Sequence, residues 1–507
     1  MRKLTLHAIL PETGPAAAAA MTCVEHLQAD ERYAVAALFR AAPPPARTGA
    51  AARYLQLEAK VFARAAQASA TGGAQLMADL APAGQPAAPT PDIVIDFSGD
   101  PAALAHADTA RLGLWRLEGF AGSAGIAATL RGAPSTVLRV LRFCGPIPAP
   151  RTLAQAEFTT KFLAARQAAF MREKLVALLR QQLARAANGA DLPDTGPPPA
   201  QQDGTPPLAP YLRRAAGELS ARVATRLLSK AGRRPGQWCL MTGTGGWRDF
   251  DPATGSLIRP DGNHYWADPF LYRHDDELFL FFEDYDYATG RGHISAGRLV
   301  DGALVDVRPA LRRPYHLSYP QVFSHEGEIF MLPETHQAGQ VEVWRATEFP
   351  TGWTLHATAL KGVPAADSVL FEQDGAWWLF TNVTDGSFGD LSSELNLYSV
   401  TGPDLSGLRP HPLNPVVVGS RTARGGGRVF RDGNRVLRPS QNNTHGVYGW
   451  GLNFMEITRL DETGYEERLA RTIAPDFRPG LIGCHHFDAA GQTWVIDARD
   501  GRGHWAG

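Results

Sequence analysis

Cysteine is scarce in this chain. Four occur in 507 residues (Cys23, Cys144, Cys239 and Cys484), far apart and with no CxxC pair. That excludes a disulfide framework and a zinc site built on paired cysteines, and it fits a reducing cytoplasm. Net charge is nearly absent as well, with 50 Lys+Arg against 51 Asp+Glu and a pI near 7.0. Such a balance offers no electrostatic reason to expect nucleic acid or an anionic membrane as partner. No stretch holds the roughly 20 unbroken apolar residues of a membrane span, and mean hydropathy is −0.20. The opening MRKLTLHAILPETGP is interrupted by His7, Pro11, Glu12 and Gly14, so it reads as a first β-strand rather than a secretory signal. No spacing calls for a metal or an organic cofactor. The expectation is a soluble cytoplasmic protein without an integral membrane segment, long enough for two domains.

What is present differs between the two halves. Ten of the 11 Trp and nine of the 12 Tyr lie after Gly236, whereas alanine runs dominate before it. The stretch GADLPDTGPPPAQQDGTPPLAP, Gly189 to Pro210, is too poor in apolar residues to pack and reads as a linker. A short basic helix, about Tyr211 to Ala231, follows it. The boundaries expected are 1–188, 189–235 and 236–507.

The first domain alternates short apolar runs (Leu4–Leu10, Tyr33–Phe39, Asp92–Ser98, Leu112–Leu117, Thr136–Phe143) with helix-like stretches. That pattern predicts an α/β, Rossmann-like parallel sheet. A long helix is expected from about Thr152 to Ala187, with Phe158, Phe162, Leu163, Phe170, Leu175, Leu178 and Leu179 on its buried face. The order of PDIVIDFSG and LGLWRL resembles the N-terminal domain of the formyltransferase family, which moves a formyl group from a folate with an Asn, a His and an Asp. Where that family carries Asn-x-His, this chain has Leu114-Trp115-Arg116. Asp96 and Asp100 alone supply neither the base nor the polarising amide, so the resemblance implies a degenerate domain.

The second half repeats a unit of strand, tight acidic or glycine turn, and strand. Five copies occur: ADPFLYRHDDELFLFFED, SYPQVFSHEGEIFMLPET, ADSVLFEQDGAWWLFTN, GGRVFRDGNRVLRPSQN and GCHHFDAAGQTWVIDA. The aromatics before each turn, Tyr272, Phe323, Phe371, Phe430 and Phe487, are spaced 51, 48, 59 and 57 residues apart. A period of this kind predicts a five-bladed β-propeller. Because both ends of a hairpin lie at the same end of a blade, Asp268, Tyr319, Asp367, Glu283, Glu334, Asn382, Gln441 and Asp497 should ring one mouth of the channel.

Several carboxylates around a concave site are what glycoside chemistry uses, one protonated to donate and one ionised. Trp266, Tyr265, Tyr319, Trp377 and Trp378 offer faces for sugar rings, and Arg424, Arg438, His316, His485 and His486 offer fixed hydrogen bonds. Plainer readings stand beside these. Asp268 before Pro269 can cap a turn, Glu334 can pair with Arg438 or Arg424, and Glu283 can belong to a solvated acidic loop. Adjacent His485 and His486 point to opposite faces of a strand rather than to one metal.

The opening blade resembles the base-bearing blade of family 43 glycoside hydrolases. Asp268 matches the Asp of that blade, and Asp367 stands where the family has a Glu. Tyr319 replaces its helper Asp, so the mechanism does not carry over whole. WADPFLY, YHLSYPQVF, MLPET, VEVWRA, HPLNPVVV and RPSQN, in this order, are similar to the N-terminal domain family named after plant glucosamine inositolphosphorylceramide transferase. The resemblance implies a saccharide or glycolipid headgroup as ligand, with a nucleotide sugar or a separate glycosyltransferase as further partner. The leading expectation is cleavage or transfer of a glycosyl unit at the mouth. Asp268 would be base or nucleophile and Asp367 proton donor, with Glu334 and Glu283 tuning. Trp266, His316, Tyr319, Arg424, Arg438, Gln441, His485 and Asp497 would bind substrate. The alternatives are a non-catalytic glycan-binding module and formyl transfer to an amino sugar.

Overall fold

The computed structural model describes residues 3–41, 50–62, 81–82, 90–122, 125–199, 206–234, 236–260, 263–384, 386–502 and 504–505. The chain divides into two compact units, Met1–Ser220 with Gly386–Phe388, and Ala221–Asp385 with Gly389–Gly507.

The first unit is a seven-stranded sheet. Its strands are β1 (Leu4–Leu10), β2 (Tyr33–Arg40), β3 (Ala81–Pro82), β4 (Ile93–Asp96), β5 (Leu114–Leu117), β6 (Ser135–Phe143) and β7 (Arg151–Thr159), in the order β3-β2-β1-β4-β5-β6-β7. Helices α1 (Gly14–Ala29), α2 (Ala50–Phe62), α3 (Ile126–Arg131) and α4 (Ala164–Ala187) accompany it, and α5 (Leu208–Lys230) runs across the boundary between the units at Ser220. The sheet is mixed, correcting the parallel expectation: β3 to β5 pair in parallel, but β5-β6 and β6-β7 are antiparallel. Only Cys144–Pro150 joins β6 to β7, too short for the dozen or so residues of a parallel crossover. Ile9, Phe39, Val94, Leu114 and Phe143 fill one core of this sheet.

The helix expected from Thr152 begins instead at Ala164, and its first part is β7. From Ala154 on, buried Ala154, Ala156 and Phe158 alternate with the more exposed Gln155, Glu157 and Thr159, the two-residue period of a strand. Phe170, Leu175, Leu178 and Leu179 do lie buried on α4. The expected linker is also engaged: Thr195 and Gly196 exchange backbone hydrogen bonds with Thr152, at 3.1 and 2.7 Å. Residues 200–205 of it lie outside the described residues. On α5, the Tyr211 hydroxyl donates to Glu58 Oε2 at 2.5 Å and accepts from the Ala164 amide.

The second unit is a five-bladed propeller, and each predicted hairpin forms the inner part of a blade. Blade one is His264–His274, Glu277–Asp286, Arg291–Val300 and Ala303–Leu311; blade two is Ser318–His325, Glu328–Glu334, Val341–Glu348 and Gly352–Ala359. Blade three opens with Ala365–Gln373 and Ala376–Val383, and blade four with Phe430–Asp432 and Arg435–Asn442. Blade five joins Leu481–Gly483, Phe487–Ala490 and Thr493–Asp500 to Trp238–Thr244 and Ser256–Ile258, so both ends of the propeller segment share one sheet. The aromatics before the turns pack between blades; Phe487, for example, is buried with Phe250, Phe454 and Trp494.

Candidate functional site

Three inner strands carry the same irregularity. The pairing register breaks between Ala267 and Phe270, between Ser318 and Gln321, and between Ala366 and Val369. At each break the residue with left-handed backbone is one that the repeat aligned: Asp268 (φ 51°), Tyr319 (φ 51°) and Asp367 (φ 48°). Side chains seldom tolerate this conformation, tyrosine least of the three, and such strain gathers where bulges re-aim side chains into a site.

The bulges are held from the preceding blade. The Asp268 amide donates to Asp497 Oδ2 and the Asp367 amide to Glu334 Oε2, both at 3.2 Å. The acid at the end of one blade's second strand thus clamps the bulge of the next. Tyr319 is anchored differently: its hydroxyl accepts from the Gly427 amide at 2.6 Å and donates to the Gly427 carbonyl at 3.1 Å. Gly427 needs to be glycine, since its φ is +140° and a Cβ would stand 2.0 Å from the Phe487 carbonyl oxygen.

A cavity of about 140 Å³ opens here, lined by Trp238, Tyr265, Ala267, Asp268, Glu283, His316, Ser318, Glu334, Asp367, Arg424, Tyr448 and His485. All four expected catalytic carboxylates converge on it, with His316, Arg424 and His485. Trp238, Ser318 and Tyr448 were missed. The repeat carried a signal for Ser318, which precedes Tyr319 as Ala267 precedes Asp268. Trp238 comes from the blade-closing strand and Tyr448 from a connecting loop, where no repeat speaks.

The remaining expected residues lie elsewhere. Trp266 faces away, its ring 4.8 Å from Phe282, because Tyr265 and Ala267 on either side of it face the cavity. Arg438 pairs with Glu467 at 2.7 Å on an outer strand of blade four. Tyr319, Gln441 and Asp497 are buried behind the lining and act on it, Gln441 Nε2 donating to Asp367 Oδ2 at 3.0 Å. Trp377 stands beside Phe323 and His325, and Trp378 in a core with Phe371 and Phe380. Both adjoin the hairpin turn, at the far end of the strand from Asn382. His485 lines the cavity, stacked on Trp238 at 4.2 Å. His486 is buried beneath, between Phe270 and Tyr319.

The acids are in different electrical states. Asp268 is 7 % exposed, and among the described residues no donor reaches its carboxyl oxygens. Burial pushes its pKa up to about 7; His485 opposes this, while Asp497 and Glu334 add to it. Burial and the Asp268 charge raise Glu283 well above the carboxylate range; its Oε1 accepts from the Tyr265 hydroxyl at 3.1 Å and lies 3.3 Å from His316 Nε2. Burial acts upward on Glu334 too, but the hydrogen bond from His336 and the charge of Arg424 hold it at about 2. Arg424 bonds both Asp367 oxygens, with Nη2 3.0 Å from Oδ1, and reaches Glu334 at 3.3 Å. Burial drives Asp367 well above the carboxylate range although this guanidinium pulls it down, and for Arg424 burial acts downward but the neighbouring Asp367, Tyr448 and Glu334 raise its pKa well above the ordinary value.

Asp268, His485 and Asp497 bring metal-ligand atoms within 4.8 Å of one another. His485 Nδ1 lies 2.5 Å from Asp497 Oδ2, closer than the roughly 3.3 Å between two ligands at ~2.0–2.1 Å on a tetrahedral ion. The arrangement is an ion pair, and its other ring nitrogen faces Asp268 at 3.8 Å. In the first unit, Asp96 accepts from Arg116 Nε at 2.6 Å and from Ser98 and Gly99, while Asp100 caps the turn at Ala102. Both acids of the formyltransferase resemblance are thus already bonded.

Residues 259–474 match the family described as glucosamine inositolphosphorylceramide transferase 1, N-terminal, in line with the motif resemblance. Proteins named glucosamine inositolphosphorylceramide transferase 1 are similar as well. The one from Oryza sativa subsp. japonica is 36 % identical over 245 residues, 46 % of this chain and 32 % of its own length; that from Arabidopsis thaliana is 35 % identical over 235 residues, 45 % and 30 %. The chain spans about a third of these relatives. Among solved structures, Zg3597, a family 117 glycoside hydrolase from Zobellia galactanivorans, covers 52 % of this chain and 90 % of itself at 13 % identity and a TM-score of 0.35. Values this low say nothing about chemistry, and the five blades rest on the sheets themselves.

Proposed function

We propose that the propeller mouth binds a single sugar of a glycan or glycolipid headgroup and cleaves or transfers that glycosyl unit, with Asp268 moving the proton. The observation that carries this is the Asp268 carboxyl: buried, aimed by a bulge, without a hydrogen-bond donor among the described residues and pushed up to about 7. Such a group is half protonated near neutral pH and suits proton transfer in both directions. This reverses the expected roles, because Asp367 is tied to Arg424 and Gln441 and is better placed to orient a ligand. Protonated Asp268 gives its proton to the glycosidic oxygen as the C–O bond breaks. Ionised Glu334 offsets the positive charge growing on the sugar. Water or an acceptor hydroxyl then bonds to the anomeric carbon and returns a proton to Asp268. At about 140 Å³ the cavity is below the roughly 300–1,000 Å³ of drug-sized sites, which favours one ring over a chain.

The resemblance to glycolipid transferases makes a headgroup the first ligand to try, with a nucleotide sugar as donor or a separate glycosyltransferase as partner. Four cysteines without a disulfide support a reducing, cytoplasmic setting. The test is a thermal-shift panel of free sugars, aryl glycosides and nucleotide sugars on the full chain, with turnover measured on every hit. A ligand consumed by wild type and only bound by Asp268→Asn supports the proposal. A ligand bound equally by both and never consumed supports the second reading, a non-catalytic binding module, which the capture of Asp367 by Arg424 favours.

A further inference from the structure

The net charge of −1 is an average that conceals one segment. Between Leu208 and Arg234 stand seven basic residues and a single acid, Glu218. Most of that segment is α5, in which every residue from 216 to 228 is exposed. Its apolar residues are nevertheless ordered. Leu212, Ala216, Leu219, Val223 and Leu227 follow spacings of four, three, four and four residues, which places them in one stripe along the helix. Val223 is 56 % exposed and Leu227 62 %. Arg226 flanks the stripe and Lys230 continues it; among the described residues neither pairs with a carboxylate.

We propose that α5 docks on an anionic lipid membrane, lying in its surface with the Leu219–Val223–Leu227 stripe at the acyl boundary and Arg226 and Lys230 on the headgroup phosphates. An aliphatic stripe bordered by like charges is the chemistry of an interfacial helix. A second copy of the chain fits less well, since in either orientation basic residues would meet basic residues with only Glu218 to offset them. Nucleic acid fits less well too, because the stripe is aliphatic and offers no ring on which bases stack. The docking does not depend on the chemistry proposed for the propeller.

The experiment is flotation of the full chain with vesicles of phosphatidylcholine, and of phosphatidylcholine with phosphatidylserine. Wild type should float with the second and not with the first, less so as salt rises. Leu219→Glu/Val223→Glu should abolish flotation, and Arg226→Gln/Lys230→Gln should weaken it about 30-fold. These side chains are exposed, so both variants should keep the wild-type melting temperature. Absence of flotation on the anionic vesicles overturns the proposal, as does flotation that neither variant alters. A dimer in sedimentation velocity that Leu219→Glu/Val223→Glu dissolves, or duplex DNA binding that this variant retains, overturns it equally.

Discussion

Asp268 and Arg424 show how single residues set the character of the mouth. The pKa of Asp268 near 7 in the folded state compares with about 3.9 in an unfolded chain. Between those values the folded protein holds a proton that the unfolded chain has released, so stability falls as pH rises from about 4 to about 7 and then levels off. Asp268→Asn removes that penalty. Its melting temperature should exceed that of wild type by more at pH 8 than at pH 5, with each kcal/mol worth roughly 2–4 °C; an equal difference at both pH values would refute the shifted carboxyl. Arg424 is the reverse case. It is the bonded counter-charge of Asp367 and Glu334, so Arg424→Met should cost about 3–5 kcal/mol in urea unfolding. Arg424→Lys should recover little, because an ammonium cannot bond both Asp367 oxygens as the planar fork does.

At the scale of elements, the bulged inner strands matter most. Each breaks pairing to turn one residue toward the channel, and each is held by groups from other blades. Tyr319 is the most strained of the three, and its hydroxyl fixes Gly427, three residues beyond Arg424. Tyr319→Phe keeps the ring and loses two buried hydrogen bonds. It should lower stability by about 1–3 kcal/mol and weaken any ligand of the mouth through the displaced Arg424. Ligand affinity unchanged in that variant would show that the Gly425–Gly427 segment does not position the guanidinium.

For the propeller unit as a whole, stability rests on closure of the ring. Thr493–Asp500 pairs with Trp238–Thr244 along its length, and Trp494 is fully buried against Phe250. A chain ended after Ala490 would lose the strand that joins the two ends and supplies Asp497. It should lose the cooperative unfolding of all five blades, seen as a collapsed calorimetric transition, not as a modest decrease in melting temperature. A sharp propeller transition in that truncation would mean that the blades hold without their closing strand.

The sequence by itself determined the repeating parts: five hairpins, the aromatic before each turn, and the gathering of Asp268, Glu283, Glu334 and Asp367 at one mouth. All follow from periodicity between near neighbours, which backbone geometry converts directly into strands and faces. It misled where a local pattern was ambiguous, as in β7, or where neighbours alternate, as with Trp266 beside Tyr265. Tertiary structure alone decided which acid is hydrogen-bonded to a guanidinium and which faces only imidazoles at 3.8 Å. Arg424 reaches Asp367 across 57 residues of chain, and Asp497 clamps the Asp268 amide across 229. A carboxyl's charge depends on burial and on partners brought by other blades. No spacing within one hairpin encodes those partners, so the different bonding of Asp268 and Asp367 became legible only once the ring was closed.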